Sequence, residues 1–335
     1  MDQRDRELMG ALQGEIPLVA TPYAFLGQTL DMSEKEVIKR TERLKRDGFV
    51  RQLAAQFDPR ALGYRSCLVA ARVAPSRIEE AAAVINAHPG VTQNYRRNNE
   101  LNLWFTLFVS PQSKLGLEKT IDLLGREADC ETVRALPTIR QYKSTSSDGE
   151  ITTDAAHSEY TPLSDVEVEC IRLLQMDLPP QPRPFDVLAR TSTVGADELL
   201  AAARTLHKRG QIRRFAASVA SRKAGFVASA MGVWVVPHGS EDEYGVRLAQ
   251  HRAVSHCFQR PVHEDWPYNL YTTVHARSVD ECESVIQDLV IDTGLTQKQA
   301  LFPTKEYKKV RATFFSSEEE AWEDAHDLEQ AVAAG

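Results

Sequence analysis

Apolar residues recur at helical spacing from Asp5 to Leu12, and again after Met32-Ser33-Glu34-Lys35-Glu36, where Val37, Ile38, Thr41 and Leu44 follow an N-cap region. Gly48 then stops that helix, and Phe49 to Phe57 alternates loosely enough to form a hairpin wing. The order helix, helix, helix, wing is that of a winged helix-turn-helix. Beyond it the period changes. An apolar strand (Arg65 to Val73), a helical stretch (Arg77 to Ala87), two strand patterns (Val91 to Tyr95, Leu101 to Val109), a further helix and a last strand follow. This βαββαβ order predicts a ferredoxin-like sheet with helices on one face.

The pattern then repeats. Gly48-Phe49-Val50-Arg51-Gln52-Leu53-Ala54-Ala55 returns as Gly210-Gln211-Ile212-Arg213-Arg214-Phe215-Ala216-Ala217, an offset of 162 residues. Gly63-Tyr64 matches Gly225-Phe226, His88-Pro89-Gly90-Val91 matches His251-Arg252-Ala253-Val254, and Asn102-Leu103-Trp104 matches Asn269-Leu270-Tyr271. Pro137-Thr138 finally matches Pro303-Thr304. The second copy places helices at Val166 to Leu174 and Ala196 to Lys208, around a Pro-rich segment at 179–184. Its strand at Phe226 to Val236 and helix at Glu243 to Gln250 complete the likeness. One unit has been duplicated and fused, and two copies are too few for a solenoid. Isologous pairing of the halves into a pseudo-dimer is the expected solution.

The predicted fold class is therefore α+β: two tandem repeats, each a winged helix-turn-helix plus a ferredoxin-like βαββαβ domain. The expected divisions are winged helices at 1–60 and 163–223, sheet domains at 61–143 and 224–315, a polar linker at 144–162 and an acidic tail at 316–335. The tail has helix-forming composition, and a peripheral helix or disorder without chemistry is expected there.

Composition narrows the class. A chain of 335 residues, 42% hydrophobic and 26% charged, is globular in character. No window approaches the roughly 18 uninterrupted apolar residues of a membrane span, and the charged start lacks a signal core, so a cytoplasmic location is expected. The five cysteines are scattered without a CxxC pair, which predicts buried free thiols and no metal site. The net charge of −7 argues against a polyanion as the main partner.

Two segments are more specific than the fold pattern. Ser255-His256-Cys257-Phe258-Gln259-Arg260-Pro261 followed by Asp265-Trp266-Pro267-Tyr268-Asn269-Leu270-Tyr271 resembles the signature of siroheme decarboxylases. Tyr95-Arg96-Arg97-Asn98 with Asn102-Leu103-Trp104-Phe105-Thr106 resembles its sister copy. The resemblance covers the chain up to about Phe315. It implies winged-helix domains joined to Lrp/AsnC-type ligand domains, and an enzyme that removes the acetate carboxyl groups at positions 12 and 18 of siroheme. The product would be 12,18-didecarboxysiroheme, on the way to heme d1 or heme. Siroheme and this product are the expected partners, with further homologous subunits and a homo-oligomer compatible with the family. No cofactor is expected beyond the iron of the substrate.

Such a decarboxylation needs a sink for the carbanion-like electron pair and a proton donor for the new methyl group. Histidine titrates nearest to neutral pH, and four of nine histidines (His251, His256, His263, His275) fall between 251 and 275. His256 and His251 are the catalytic candidates; His263 and His275 lie outside the tightest part of the motif and are expected to pack or face solvent. A polycarboxylate also needs cations in forked geometry, which selects Arg260 and, in the first half, Arg96 and Arg97. Tyr95, Asn102, Trp266, Tyr268, Asn269 and Tyr271 complete the expected substrate-binding set, although aromatic strand residues also serve as core. His256 aligns with Gln93, so the principal site is expected in the second half.

Two rival functions share the fold. A winged helix-turn-helix suggests a DNA-binding regulator. Yet Asp2 to Arg60 carries ten Lys/Arg against ten Asp/Glu, and Asp197-Glu198-Leu199-Leu200 opens the second reader helix with acid. DNA is accordingly not an expected partner. A noncatalytic tetrapyrrole carrier or sensor would use the same pocket without a proton donor.

Overall fold

The computed structural model describes residues 1–145, 151–152, 160–219 and 228–333. The first repeat runs α1 (Gln3–Gln13), α2 (Pro22–Thr29), α3 (Glu34–Arg46), β1 (Val50–Phe57), β2 (Arg65–Arg72), α4 (Ile78–Ala87), β3 (Val91–Arg97), β4 (Leu103–Val109), α5 (Gly116–Glu127), β5 (Thr132–Pro137) and β6 (Arg140–Thr145). After β7 (Ile151–Thr152), the second repeat runs α6 (Asp165–Leu174), α7 (Pro184–Ala189), α8 (Ala196–Lys208), β8 (Ile212–Val219), β9 (Ala228–Trp234), α9 (Glu241–Gln250), β10 (Val254–Gln259), β11 (Leu270–Ala276), α10 (Val279–Thr293), β12 (Lys298–Leu301) and β13 (Pro303–Lys309). The tail helix α11 spans Ser317–Ala333. The chain folds as two compact units, Met1–Gly63 with His157–Ser221 and Tyr64–Ala156 with Arg222–Gly335.

The first unit joins the two helix-turn-helix motifs. Capping explains where its helices begin: the Ser33 hydroxyl accepts the Glu36 N–H at the start of α3, and Ser164 and Glu167 form a reciprocal capping box on α6. Gly48 ends α3 with φ +72°, a conformation that costs glycine least. The expected hairpin wing is absent. Val50–Phe57 is instead one strand, paired antiparallel with β8 of the other repeat, Leu53 opposite Ala217 and Ala54 opposite Ala216. The segment contains no Gly, Pro, Asn or Asp to turn it back, so its edge finds a partner strand instead. Two matched hydrogen bonds lock the pair: Ile16 N–H to Phe215 O and Leu178 N–H to Leu53 O, each 2.7 Å.

Three cations of α3 are paired within this unit. Arg40 pairs with Asp2 and Asp5 at 2.8 Å and with Glu36 at 2.9 Å, Arg43 pairs with Asp5, and Lys45 pairs with Asp177 at 2.7 Å. Burial works to raise the Asp5 carboxyl, but the Asp2 N–H and the two guanidinium groups hold it at about 2.

The second unit contains two sheets, in orders β13-β3-β4-β2-β5 and β12-β9-β11-β10-β6-β7. Within each, the four βαββαβ strands of one repeat hold the ferredoxin-like order. The last strand of each repeat crosses to the other sheet: β6 pairs with β10 and β13 with β3. This exchange covers two sheet edges and makes the pseudo-dimer inseparable. One core lies between the first sheet and its helices (Val69, Ile85, Phe105, Leu124) and another between the second sheet and its helices (Trp234, Leu248, Cys257, Ile286). A third fills the space between the sheets, with Ala70, Trp104, Leu136, Val233, Trp266, Tyr271 and Leu301.

Most of the expected linker lies outside the described residues; Ser144 and Thr145 end β6, and β7 pairs back on them. The tail is anchored more firmly than expected. Glu319 and Glu323 are buried, accept the Ser110 and Lys114 N–H groups at 2.9 Å, and place Trp322 against His88. Cys67, Cys170, Cys257 and Cys282 are buried free thiols, and Cys130 is half-buried. Among the described residues, no helix is long and apolar enough to cross a membrane.

Candidate functional site

A bulge sets the site. The register of β10 on β11 shifts between Val254 and His256, so Val254 and Cys257 stay in the helix-side core while His256 turns to the opposite face. From there alternation places His256, Phe258 and Arg260 on the face between the sheets, opposite Thr273 and Tyr271 of β11. His275 lies two residues beyond Thr273 on that same face. These six side chains form a tile. The first repeat builds a matching one: β3 carries a bulge between Val91 and Gln93, and Gln93 and Tyr95 stand opposite Thr106 and Trp104 of β4, with Arg97 and Phe108 completing the set.

The two arginines occupy equivalent places. Arg97 NH1 donates to Leu301 O at 2.9 Å, and Arg260 NH1 donates to Leu136 O, each reaching the last residues of the other repeat's fourth strand. Arg97 lies 5.6 Å from the Tyr95 ring centroid, and Arg260 lies 5.1 Å from that of Phe258 and 5.4 Å from that of Tyr271. In both, Nε is buried without a partner. Among the described residues neither guanidinium has a carboxylate, and burial lowers both to about 10. A buried cation without a counter-ion costs several kcal/mol. The open edge of each, Nε with NH2, is the fork that takes a carboxylate side-on.

His256 is held by a 2.8 Å hydrogen bond between Nδ1 and the Ser255 hydroxyl. Burial lowers it to about 4, helped by His275, Arg260 and Lys143 nearby. Burial, with the charge of Lys309, also lowers His275. Every charged neighbour that acts on His256 is a base, so the tile is set for an anion. His275 is the member that sequence reasoning missed. The available signal was its two-residue spacing from Thr273, which fixes the face once β11 is paired.

Several expected residues take other roles. His251 closes the α9–β10 turn, its Nδ1 accepting the Ala253 N–H at 3.3 Å as His88 accepts Gly90 N–H at 2.9 Å, and it does not join His256. Arg96 follows the alternation to the helix side, near Glu79 and Tyr307, so it cannot share a ligand with Arg97. Asn102 spends its amide on Val73 N–H and O (3.0 and 2.8 Å), and Asn269 does the same with Val236 (2.8 and 2.9 Å). Both are strand clamps. Trp266 and Tyr271 are only 4% and 2% exposed, and the indole N–H donates to the tyrosine hydroxyl at 2.7 Å, so they form core rather than a free stacking surface. Tyr268 packs edge-on against Trp266 at their rim. His263 bonds Ala135 O at 3.0 Å and, with the Arg134–Asp265 pair, fastens the 261–268 loop over Arg260. A groove of about 540 Å³ between α5 and β5 is lined by none of the expected residues.

Comparison with known proteins decides the family. The AsnC-like ligand binding domain matches residues 61–143 and 223–308, and the siroheme decarboxylase NirDL-like HTH domain matches 5–51 and 167–213. The siroheme decarboxylase of Hydrogenobacter thermophilus is 35% identical over 322 residues, 94% of this chain and 96% of that protein. The chain belongs to the siroheme decarboxylase family. The beta subunit of the Oleidesulfovibrio alaskensis siroheme decarboxylase is 37% identical over 153 residues, 45% of this chain and 97% of that subunit. A crystal structure of the siroheme decarboxylase NirDL in co-complex with an iron-uroporphyrin III analogue is 33% identical, with a TM-score of 0.83 over 98% of this chain and 100% of that one. As a siroheme decarboxylase family member, the chain carries both halves of the fold in one polypeptide, and its two tiles differ at the titratable positions.

Proposed function

We propose that this chain is a siroheme decarboxylase that removes the acetate carboxyl groups at positions 12 and 18 of siroheme, giving 12,18-didecarboxysiroheme for heme d1 or heme synthesis. The full-length likeness to proteins of that activity carries the reading. The second tile supplies chemistry that fits it. Arg260 presents a side-on fork to a substrate carboxylate. The bond between the acetate methylene and its carboxylate breaks, the electron pair passes into the macrocycle, and CO2 leaves. A proton then closes the methylene to a methyl group, so no external oxidant or reductant is consumed.

His256, with His275 beside it, is the proton source in this reading. In the free protein burial keeps His256 neutral at pH 7. A polyanion bound on the tile reverses the local balance and raises the imidazole toward neutral pH, so substrate binding draws a proton onto the site. The iron belongs to the substrate; the protein supplies cations and the proton. Because one chain holds both repeats, no further homologous subunit is required, and the protein works in the cytoplasm.

Anaerobic incubation of the purified chain with siroheme, followed by mass spectrometry, tests this. Two successive losses of CO2 are expected. Binding without loss would favour a carrier, and neither binding nor loss would return the chain to the regulator reading.

A further inference from the structure

The first tile repeats the second tile's most costly feature without its histidines. Arg97 has the matching cross-repeat bond, an aromatic neighbour (Tyr95) at the position of Phe258, and the same orphaned Nε as Arg260. Where the second tile has His256, His275 and Ser144, the first has Gln93, Phe108 and Lys309, as the pairings of β13 with β3 and of β6 with β10 fix. Lys309 adds a second cation, an exposed one whose charge also reaches His275 of the second tile. Among the described residues, the acid on this face is Glu306, opposite Tyr95 and hydrogen-bonded to its hydroxyl.

Folding alone does not explain Arg97. One hydrogen bond to a backbone carbonyl does not offset the cost of burying an unpaired charge. Arg97 and Arg260 are also too far apart to share one carboxylate. Arg97 stands on β3 and Arg260 bonds to β5 of the same sheet, three strand spacings away, roughly 14 Å. The buried cluster around Trp104, Trp266 and Tyr271 fills the space between the sheets.

We infer that the first tile is a second carboxylate-binding site for a tetrapyrrole, built around Arg97, Lys309 and Gln93, which binds without decarboxylating. The ligand class rests on the siroheme decarboxylase reading. The site itself rests on the duplicated open guanidinium edge. It lacks a histidine, and its proton-bearing groups are the Tyr95 hydroxyl, which burial pushes up to about 12, and the Lys309 ammonium. A general acid works best with a pKa near the working pH, so the ligand leaves as it came: waiting substrate or retained product.

The test is a titration of the full chain with iron-uroporphyrin III, followed by absorbance and native mass spectrometry, alongside the siroheme assay. Two equivalents per chain are expected. Arg97→Met should remove one, and Gln93→Glu, which adds a repelling carboxylate at an exposed position without breaking an internal bond, should weaken the same equivalent at least tenfold. Arg260→Met should remove the other, and CO2 release with it. One equivalent in the unaltered chain together with CO2 release would overturn the second site and leave the decarboxylase standing. Two equivalents that both survive Arg97→Met and Gln93→Glu would overturn its placement. No binding and no CO2 release would remove the decarboxylase reading, and this inference with it.

Discussion

The two sheet domains share a backbone and differ in the side chains they set on the face between the sheets. Each has a bulged second strand, an asparagine clamp from the third strand to the end of the first, and an arginine reaching into the other repeat. Besides exchanges among aromatics (Tyr95 against Phe258, Trp104 against Tyr271), they part at three positions on the face between the sheets: Gln93 against His256, Phe108 against His275, and Lys309 against Ser144. What folding requires has been kept in both copies, together with one buried cation that folding does not require. The histidines of this face stand in one copy only.

The strongest way to break this division is to make the second tile resemble the first. His256→Gln copies Gln93 and removes the proposed proton donor while keeping a polar side chain. CO2 release is expected to fall by roughly 10²–10⁴, the usual contribution of a positioned general acid, with iron-uroporphyrin III still bound. A loss of less than tenfold at saturating siroheme would assign the proton elsewhere. Arg260→Lys is the milder change: the charge remains, but the side-on fork is lost. KM should rise roughly 10–100-fold, from the about 1.5–3 kcal/mol of a charge-assisted bond, and kcat should move less.

The free and bound states of His256 give a third handle. Burial holds the free imidazole at about 4, and a bound polyanion raises it. Between the free and bound values, binding therefore takes up a proton. Affinity should fall as pH rises through that window, by at most about tenfold per unit for one proton. The slope should flatten in His256→Gln. Calorimetry in two buffers of different ionisation heat reads the uptake directly, and an unchanged slope in the variant would remove His256 from the coupling.

Much of the fold was legible because periodicity and an internal repeat are one-dimensional signals. The helix at Ala196 to Lys208 coincides with α8, and the predicted βαββαβ order is the one observed. The strand exchange was not legible, since nothing local to Arg140–Thr145 or Pro303–Lys309 states which sheet each joins. The wing failed for a similar reason: the partner of Val50–Phe57 lies 162 residues away. In the site, composition chose His256 and Arg260, but adjacency misled for Arg96, which alternation turns away from Arg97. Asn102 and Asn269 recur in both copies, and what the recurrence shares in the structure is the clamp on a valine backbone.

Those asparagines give the finest test, because here the two repeats should behave alike. Each side chain takes the place of a missing strand partner, giving one acceptor and one donor to a single residue, Val73 or Val236, at the point where its strand ends. Alanine at either position leaves a buried N–H and carbonyl unpaired, a cost of roughly 1–3 kcal/mol. Asn102→Ala and Asn269→Ala are therefore expected to lower unfolding free energy by amounts within about 0.5 kcal/mol of each other, as for distant sites with equivalent surroundings. Neither should change the stoichiometry of iron-uroporphyrin III. Denaturant unfolding of both variants against the parent chain decides it. If Asn269→Ala leaves stability intact and weakens ligand binding, the clamp is a ligand residue in the second repeat, and the division between shared scaffold and private chemistry shifts by one position.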